Sequence, residues 1–214
     1  MKVSASFLSS YYIEEDIMKL NDTNVDYIHV DVMDGKFVEN KTLPFRAMKN
    51  IYKFTSKRLD VHLMVASPKK LIKKYAQLNT EYITFHVEVD EDIDNLIDIV
   101  HNYGIKCGLA IKPDTKIDVL DKYLDKIDLV LFMSVEPGKG GQEFIEETLV
   151  KIKEFKKRIK EKKKKIVINV DGGINTNNVK KLRQADIIVS GSCIINSDNF
   201  QETINILRGE KKNG

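Results

Sequence analysis

Four side chains in this sequence have the types and spacing to do chemistry together: His29 and Asp31 in DYIHVDVMDGKFVEN (26–40), His62 in LDVHLMV (59–65), and Asp171 in VINVDGGI (167–174). Read with the two-residue period of a strand, Ile28, Val30 and Val32 fall on one face, and Tyr27, His29, Asp31 and Met33 on the other. The next stretch splits the same way, with Leu59, Val61, Leu63 and Val65 opposite Asp60, His62 and Met64. In the third, Asn169 and Asp171 oppose Ile168 and Val170. Two imidazoles and two carboxylates on one rim suit a divalent first-row metal. Without a cation, two buried carboxylates would repel each other and lose solvation. Each residue alone has a plainer reading. A single inward histidine is more often a hydrogen-bonded core residue, Asp60 orients a neighbour, Ser4 and Ser6 bond to backbone groups, and Met33, Met64 and Met133 fill core space. Convergence from three strands outweighs those readings.

These side chains meet only if the strands lie side by side. Short β-rich runs alternate with helical patterns along the chain. The expected strands are 2–8, the stretch 26–40, 58–65, 81–89, 105–111, 127–135, 165–170 and 186–191. Between and after them come helical patterns, among them 67–78, with Ser67 as N-cap and Pro68 in the first turn. Another carries apolar residues at 93, 96, 97 and 100 and stops at Gly104. A short helix is expected over 116–124 and a long lysine-rich one over 143–162. Regular alternation of this kind argues for a parallel sheet, and eight units for a closed single-domain (β/α)8 TIM barrel over 1–214. The alternative, an open doubly wound sheet, lacks a G-x-G-x-x-G after its first strand. In a barrel, chemistry sits at the carboxyl ends of the strands, where inward Thr84, His86 and Glu88 also fall. His101, on a helix, is expected at the surface.

Glycines cluster at the same rim: VEPGKGGQ (135–142), DGGI (171–174) and GSCI (191–194). Glycine lets the backbone approach a ligand and present its amides. The last two loops are where barrels of this class hold phosphate, which makes Gly172, Gly173, Gly191 and Ser192 phosphate candidates.

Bulk composition sets limits. The chain has 214 residues, 42% hydrophobic and 31% charged, with a net charge of +3, too small to imply a polyanionic partner. Cys107 and Cys193 form no metal-site spacing or disulfide framework, and no signal peptide or apolar run of ~20 residues is present, so a cytoplasmic protein without a membrane or nucleic-acid partner is expected. The run KKRIKEKKKK (156–165) reads as the solvated end of a helix; the alternative is a basic-patch anion-binding barrel without catalysis.

The motifs SASFLS, HVDVMDGKFVEN, LDVHLMV, ITFHVE, GLAIKP, VEPGKGGQ, VDGGI and VSGS, in this order and spacing over residues 4 to about 195, resemble ribulose-phosphate 3-epimerases. The resemblance implies a (β/α)8 isomerase that interconverts ribulose 5-phosphate and xylulose 5-phosphate in the pentose phosphate pathway. It implies metal ligation by His29, Asp31, His62 and Asp171, with zinc, iron, manganese or cobalt as the ion. It implies acid–base roles for Asp31 and Asp171, acting through a metal-stabilised enediolate. It further implies substrate contacts by Ser6, His62, Gly138, Lys139, Gly140, Gly141, Asp171, Gly172, Gly173, Gly191 and Ser192, and an apolar wall of Met33, Met64 and Met133. Two positions depart from the pattern: Lys139 replaces a phenylalanine and Glu39 a proline, and altered kinetics rather than lost activity are expected. A 3-epimerase of a ketohexose phosphate is the nearest alternative. The oligomeric state is left open.

Overall fold

The alternation of periods becomes a closed barrel. The computed structural model describes residues 1–210. Its strands are β1 (Lys2–Ser6), β2 (Tyr27–Met33), β3 (Arg58–Met64), β4 (Thr80–His86), β5 (Lys106–Ile111), β6 (Leu129–Met133), β7 (Val167–Asp171) and β8 (Ile187–Ser190). All pair in parallel in sequence order, and β8 returns to β1, which rules out the open sheet. The helices are α1 (Ile13–Asn21), α2 (Phe45–Ile51), α3 (Lys69–Tyr75), α4 (Ile93–Asn102), α5 (Thr148–Glu161), α6 (Ser192–Ile195) and α7 (Phe200–Arg208). The last four residues of the expected 1–214 domain lie outside the described ones.

The two faces of each strand separate as their alternation predicts. Ile28, Val30, Leu63, Phe85 and Val170 pack outward with the helices. Tyr27, Tyr82, Leu129 and Ile187, near the strand starts, fill the barrel's interior. Each fully buried large aliphatic contributes about 1.5–3 kcal/mol. In α4, Asp92 accepts the Asn95 N–H at 3.3 Å, and the stripe Ile93, Leu96, Ile97 and Val100 is buried. Gly104 follows with φ +71°, as its position past the helix requires.

Several boundaries differ from expectation. Helix α3 begins at Lys69 with Pro68 at the cap and no side-chain cap bond, so Ser67 does not cap it. The connectors at 117–123 and 179–182 are 3₁₀ turns. Their buried residues, Ile117, Leu120 and Tyr123, and Val179 and Leu182, recur every third position, the 3₁₀ period. Helix α5 starts at Thr148 rather than near 143, because the Ile145 N–H donates to Ser134 O at 2.8 Å and holds that segment against the end of β6. The lysine run on α5 is a surface laced with ion pairs: Arg158 meets Asp118, Asp121 and Glu154, Lys162 meets Asp121, and Lys164 meets Asp125. This favours the solvated-helix reading over an anion-binding patch.

Candidate active site

Strand register assembles the site. Pairing of β2 with β3 sets His29 beside Asp60, Asp31 beside His62, and Met33 beside Met64. Pairing of β1 with β2 sets Ser6 beside His29, and β6 with β7 sets Met133 beside Asp171. Every one of these side chains is inward, so neighbours in register are neighbours around one ring.

Ligand atoms of His29, Asp31, His62 and Asp171 all lie within 4.8 Å of one another. His29 Nε2 is 3.4 Å from Asp31 Oδ1 and 3.7 Å from Asp171 Oδ2. His62 Nδ1 is 3.5 Å from Asp31 Oδ1 and 3.6 Å from Asp171 Oδ2. These are too long for good hydrogen bonds, but a tetrahedron of ligands at ~2.1 Å from its centre has edges of about 3.4 Å. His29 Nε2 and His62 Nδ1 are buried with no hydrogen-bond partner among the described residues. Two buried nitrogens without partners, both facing the same two carboxylates, fit a divalent cation.

The opposite edge of His29 is fixed. Its Nδ1 donates to Asp60 Oδ2 at 2.9 Å, and the same oxygen accepts from Ser4 Oγ at 2.9 Å and Asn169 Nδ2 at 3.2 Å. Asp60 thus orients a neighbour, as expected. Both serine hydroxyls donate to carboxylates, and of the two only Ser6 also meets the backbone group that the plainer reading expects. Ser6 Oγ holds Asp31 Oδ2 at 2.8 Å while accepting the Leu8 N–H. Burial pushes the His29 and His62 imidazoles down, but the neighbouring carboxylates (Asp31 and Asp60 for His29, Asp171 and Asp31 for His62) outweigh it and raise both. Burial likewise raises Asp31, yet His29 and His62 outweigh it and hold that carboxyl well below its usual range. The cluster thus favours positive charge between its carboxylates, the place a cation would take.

Above this cluster opens a cleft. Its lining includes Ser6, Asp31, Met33, Met64, Met133, Gly138, Lys139, Gly140, Gly141, Asp171, Gly172, Gly173, Gly191 and Ser192. The ligands and substrate contacts that the resemblance implied therefore come together, with His29 and His62 buried beneath the cleft. Leu8, Ser9, Gln142 and Val189 line the cleft too and escaped the sequence. Gln142 carried one signal, its place at the end of the glycine-rich loop, where it donates to Glu136 O and Lys139 O. Lys139 is exposed at the rim, and His101 is exposed on α4, paired with Asp128. Asn40 ties the loop after β2 to the loop after β6 by donating to Gly138 O at 2.7 Å.

Asp34 anchors that first loop. Its carboxylate accepts the amides of Lys36, Phe37 and Ala66 at 2.9, 3.0 and 2.9 Å. Burial opposes its charge, but these amides outweigh it and lower the pKa. A folded-state pKa below the unfolded value adds stability that is present above about pH 4 and lost as pH falls through the folded value. Asp34→Asn turns one acceptor into a donor facing an amide. At this partly exposed site it should cost about 1 kcal/mol, or ~2–4 °C in Tm, at pH 7. Melting curves at pH 7 and pH 3 check this: the gap from the parent should narrow at the lower pH.

Known proteins place the chain. The family model for the ribulose-phosphate 3-epimerase family matches residues 2–195. A ribulose-phosphate 3-epimerase of Buchnera aphidicola subsp. Baizongia pistaciae is 41% identical over 99% of this chain and 96% of its own length. That of Escherichia coli K12 is 35% identical over 97% and 95%. Among solved structures, KGPDC from Streptococcus mutans superposes with a TM-score of 0.70 at 14% identity, covering 97% of this chain and 95% of that one. The 3-hexulose-6-phosphate synthase of Salmonella typhimurium does so with a TM-score of 0.68 at 16% identity, covering 98% and 97%. The structural likenesses show the fold alone; the sequence matches, spanning nearly the whole length, show that this chain belongs to the ribulose-phosphate 3-epimerase family.

Proposed function

We propose that Asp31 and Asp171 are the two proton-transferring groups of a 3-epimerase that interconverts ribulose 5-phosphate and xylulose 5-phosphate. As a member of its family the chain is an isomerase acting on a phosphorylated pentose. One observation carries the assignment of residues: two carboxylates from separate strands border the same pair of partnerless imidazole nitrogens, at the floor of a glycine-rimmed cleft.

Inverting a carbon beside a ketone requires a proton to leave one face and another to arrive at the opposite face. Asp31, on β2, and Asp171, on β7, supply one carboxyl on each side. One accepts the carbon-3 proton while the other, protonated, delivers its own, and the roles exchange with the direction of reaction. His29, Asp31, His62 and Asp171 would hold a divalent cation, which when bound offsets the negative charge developing on the substrate oxygens. Ser6 fixes the rotamer of Asp31 through its 2.8 Å hydrogen bond. Met33, Met64 and Met133 keep water from the reacting carbon, so the carboxyls exchange protons with substrate before solvent. Each positioned acid–base group contributes about 10²–10⁴-fold. Which ion occupies the cluster is a matter of supply as much as of these ligands; zinc, iron, manganese and cobalt all suit them. The two cysteines are free thiols, in keeping with a reducing cytoplasm.

The phosphate reading rests on backbone. The N–H groups of Gly172, Gly173, Gly191 and Ser192 enter none of the backbone hydrogen bonds of loops and caps among the described residues. They border the cleft. Gly173 has φ +64°, and a Cβ there would stand 2.6 Å from Phe144 N and 2.8 Å from Gln142 O. Both are main-chain atoms, so Gly173→Ala must displace the loop after β6. The KM for ribulose 5-phosphate should rise by at least about tenfold, or ~1.4 kcal/mol of binding, as initial rates over a range of substrate concentrations will show. The functional reading itself is tested by a coupled assay with ribulose 5-phosphate, with and without chelator, repeated with a hexulose phosphate. Turnover of the pentulose that chelation abolishes supports it; preference for the hexulose moves the substrate to a ketohexose phosphate.

A further inference from the structure

Behind His62 runs a polar chain, buried at its two imidazoles and partly exposed at Glu88, that the proton transfers do not use. His62 Nε2 lies 2.9 Å from His86 Nε2, and His86 Nδ1 lies 3.1 Å from Glu88 Oε2. Both imidazoles are fully buried. The other Glu88 oxygen, Oε1, accepts the Lys112 N–H at 2.9 Å and the Thr115 hydroxyl at 2.5 Å. The Phe37 ring covers His86, with centroids 4.7 Å apart. Burial opposes the charge on Glu88, but His86, the Lys112 amide and Thr115 outweigh it and bring its pKa to about 2. Glu88 is therefore an acceptor only.

With a cation drawing on the His62 Nδ1 lone pair, one arrangement of protons satisfies every link. An ionised Glu88 needs a proton on His86 Nδ1. Two facing ring nitrogens at 2.9 Å share one proton, since two N–H groups would collide and two lone pairs would repel. A proton on both His86 nitrogens would force the His62 proton onto Nδ1, the side that faces Asp31 and Asp171. With His86 neutral, its Nε2 accepts, His62 carries its proton on Nε2, and His62 Nδ1 keeps its lone pair. His29 reaches the same end in one step, through Asp60 on its Nδ1. Among the described residues no carboxylate reaches His62 Nε2 directly, and His86 spans the gap.

We propose that Glu88 and His86 are positioning residues that lock His62 in the tautomer whose Nδ1 lone pair faces the cluster, and so tune its hold on a divalent cation. The inference rests on the reading of His62 as a ligand. An outer partner of a ligating histidine typically controls affinity by about 10–100-fold.

Glu88→Gln tests it. The single amide oxygen must serve Lys112 and Thr115, which turns the NH₂ group toward His86 Nδ1. That nitrogen becomes an acceptor, its proton moves to Nε2, and His62 is pushed to the tautomer with hydrogen on Nδ1. Competition for Zn²⁺ against a chromogenic chelator should show affinity lower by about 10–100-fold, with an unchanged circular dichroism spectrum. In a His86→Leu background, where the link is cut, adding Glu88→Gln should change Zn²⁺ affinity no further. Unchanged affinity in the single variant, or an equal loss in both backgrounds, overturns the proposal while tight Zn²⁺ binding by the parent leaves the ligand reading standing. Failure of the parent itself to bind Zn²⁺ overturns both. Should the variants misfold, ¹⁵N-histidine spectra of the zinc-loaded parent decide: hydrogen on His86 Nδ1 and His62 Nε2 is expected, and the opposite tautomer on either ring overturns the proposal.

Discussion

Asp171→Asn should lower epimerisation of ribulose 5-phosphate by at least about 10³-fold, within the range lost with a positioned acid or base, while the barrel stays folded. The asparagine keeps the size of the side chain and one oxygen, and the β6–β7 register that places residue 171 beside Met133 is a backbone property. What disappears is a group able to take or give a proton on one face of carbon 3. Asp31 remains, held by Ser6 at 2.8 Å. It can still lift a proton on its own side and return one there. Exchange of the carbon-3 hydrogen with D₂O should therefore outlast inversion, and for one of the two epimers only. Proton NMR of each epimer incubated with the variant reads both rates. Near-parental epimerisation would remove Asp171 from the mechanism.

His62→Ala should strip the protein of its metal. His62 supplies one of two partnerless buried nitrogens, and its Nδ1 stands 3.5 and 3.6 Å from the two carboxylates. Alanine leaves those carboxylates facing each other across a space with one imidazole fewer to share a cation. The loss in affinity should exceed the ~10–100-fold that an outer partner controls. Elemental analysis of the purified variant should find metal well below one ion per chain, and the thermal stabilisation that added metal gives the parent should shrink with it. His101→Ala serves as the contrast: that imidazole lies exposed on α4 against Asp128, and its removal should leave metal content unchanged. Full occupancy in His62→Ala would show that the ion sits elsewhere.

Much of this was legible before any coordinates. Alternation in 26–33 and 59–65 alone put His29, Asp31, His62 and Met64 on the inner face, because a strand's period leaves no other choice once the aliphatics are buried. The barrel followed from the count of units. Alternation does not give register, however. That Asp31 faces His62, and His29 faces Asp60, depends on how far the β2–β3 crossover carries the chain, and only the paired strands show it. The Glu88–His86–His62 chain was legible in part: the period of two put His86 and Glu88 inward, but only the packing of β3 on β4 shows that His86 meets His62. Helical propensity misplaced the start of α5, since the Ile145 amide is drawn to Ser134 and a tertiary hydrogen bond overrode a local preference. The carboxylate partners of Ser4 and Ser6 were not legible, because a sequence shows a hydroxyl near backbone but not a carboxylate arriving from another strand.

The most direct measurement is the fate of hydrogen at carbon 3 during a single turnover in D₂O, with enzyme in excess over ribulose 5-phosphate. Two opposed carboxyls predict xylulose 5-phosphate carrying deuterium at that carbon, because the arriving proton comes from a group that equilibrated with solvent rather than from the one that took the first. Product that keeps its original hydrogen would mean that a single group carries the proton across, and the paired roles of Asp31 and Asp171 would be contradicted.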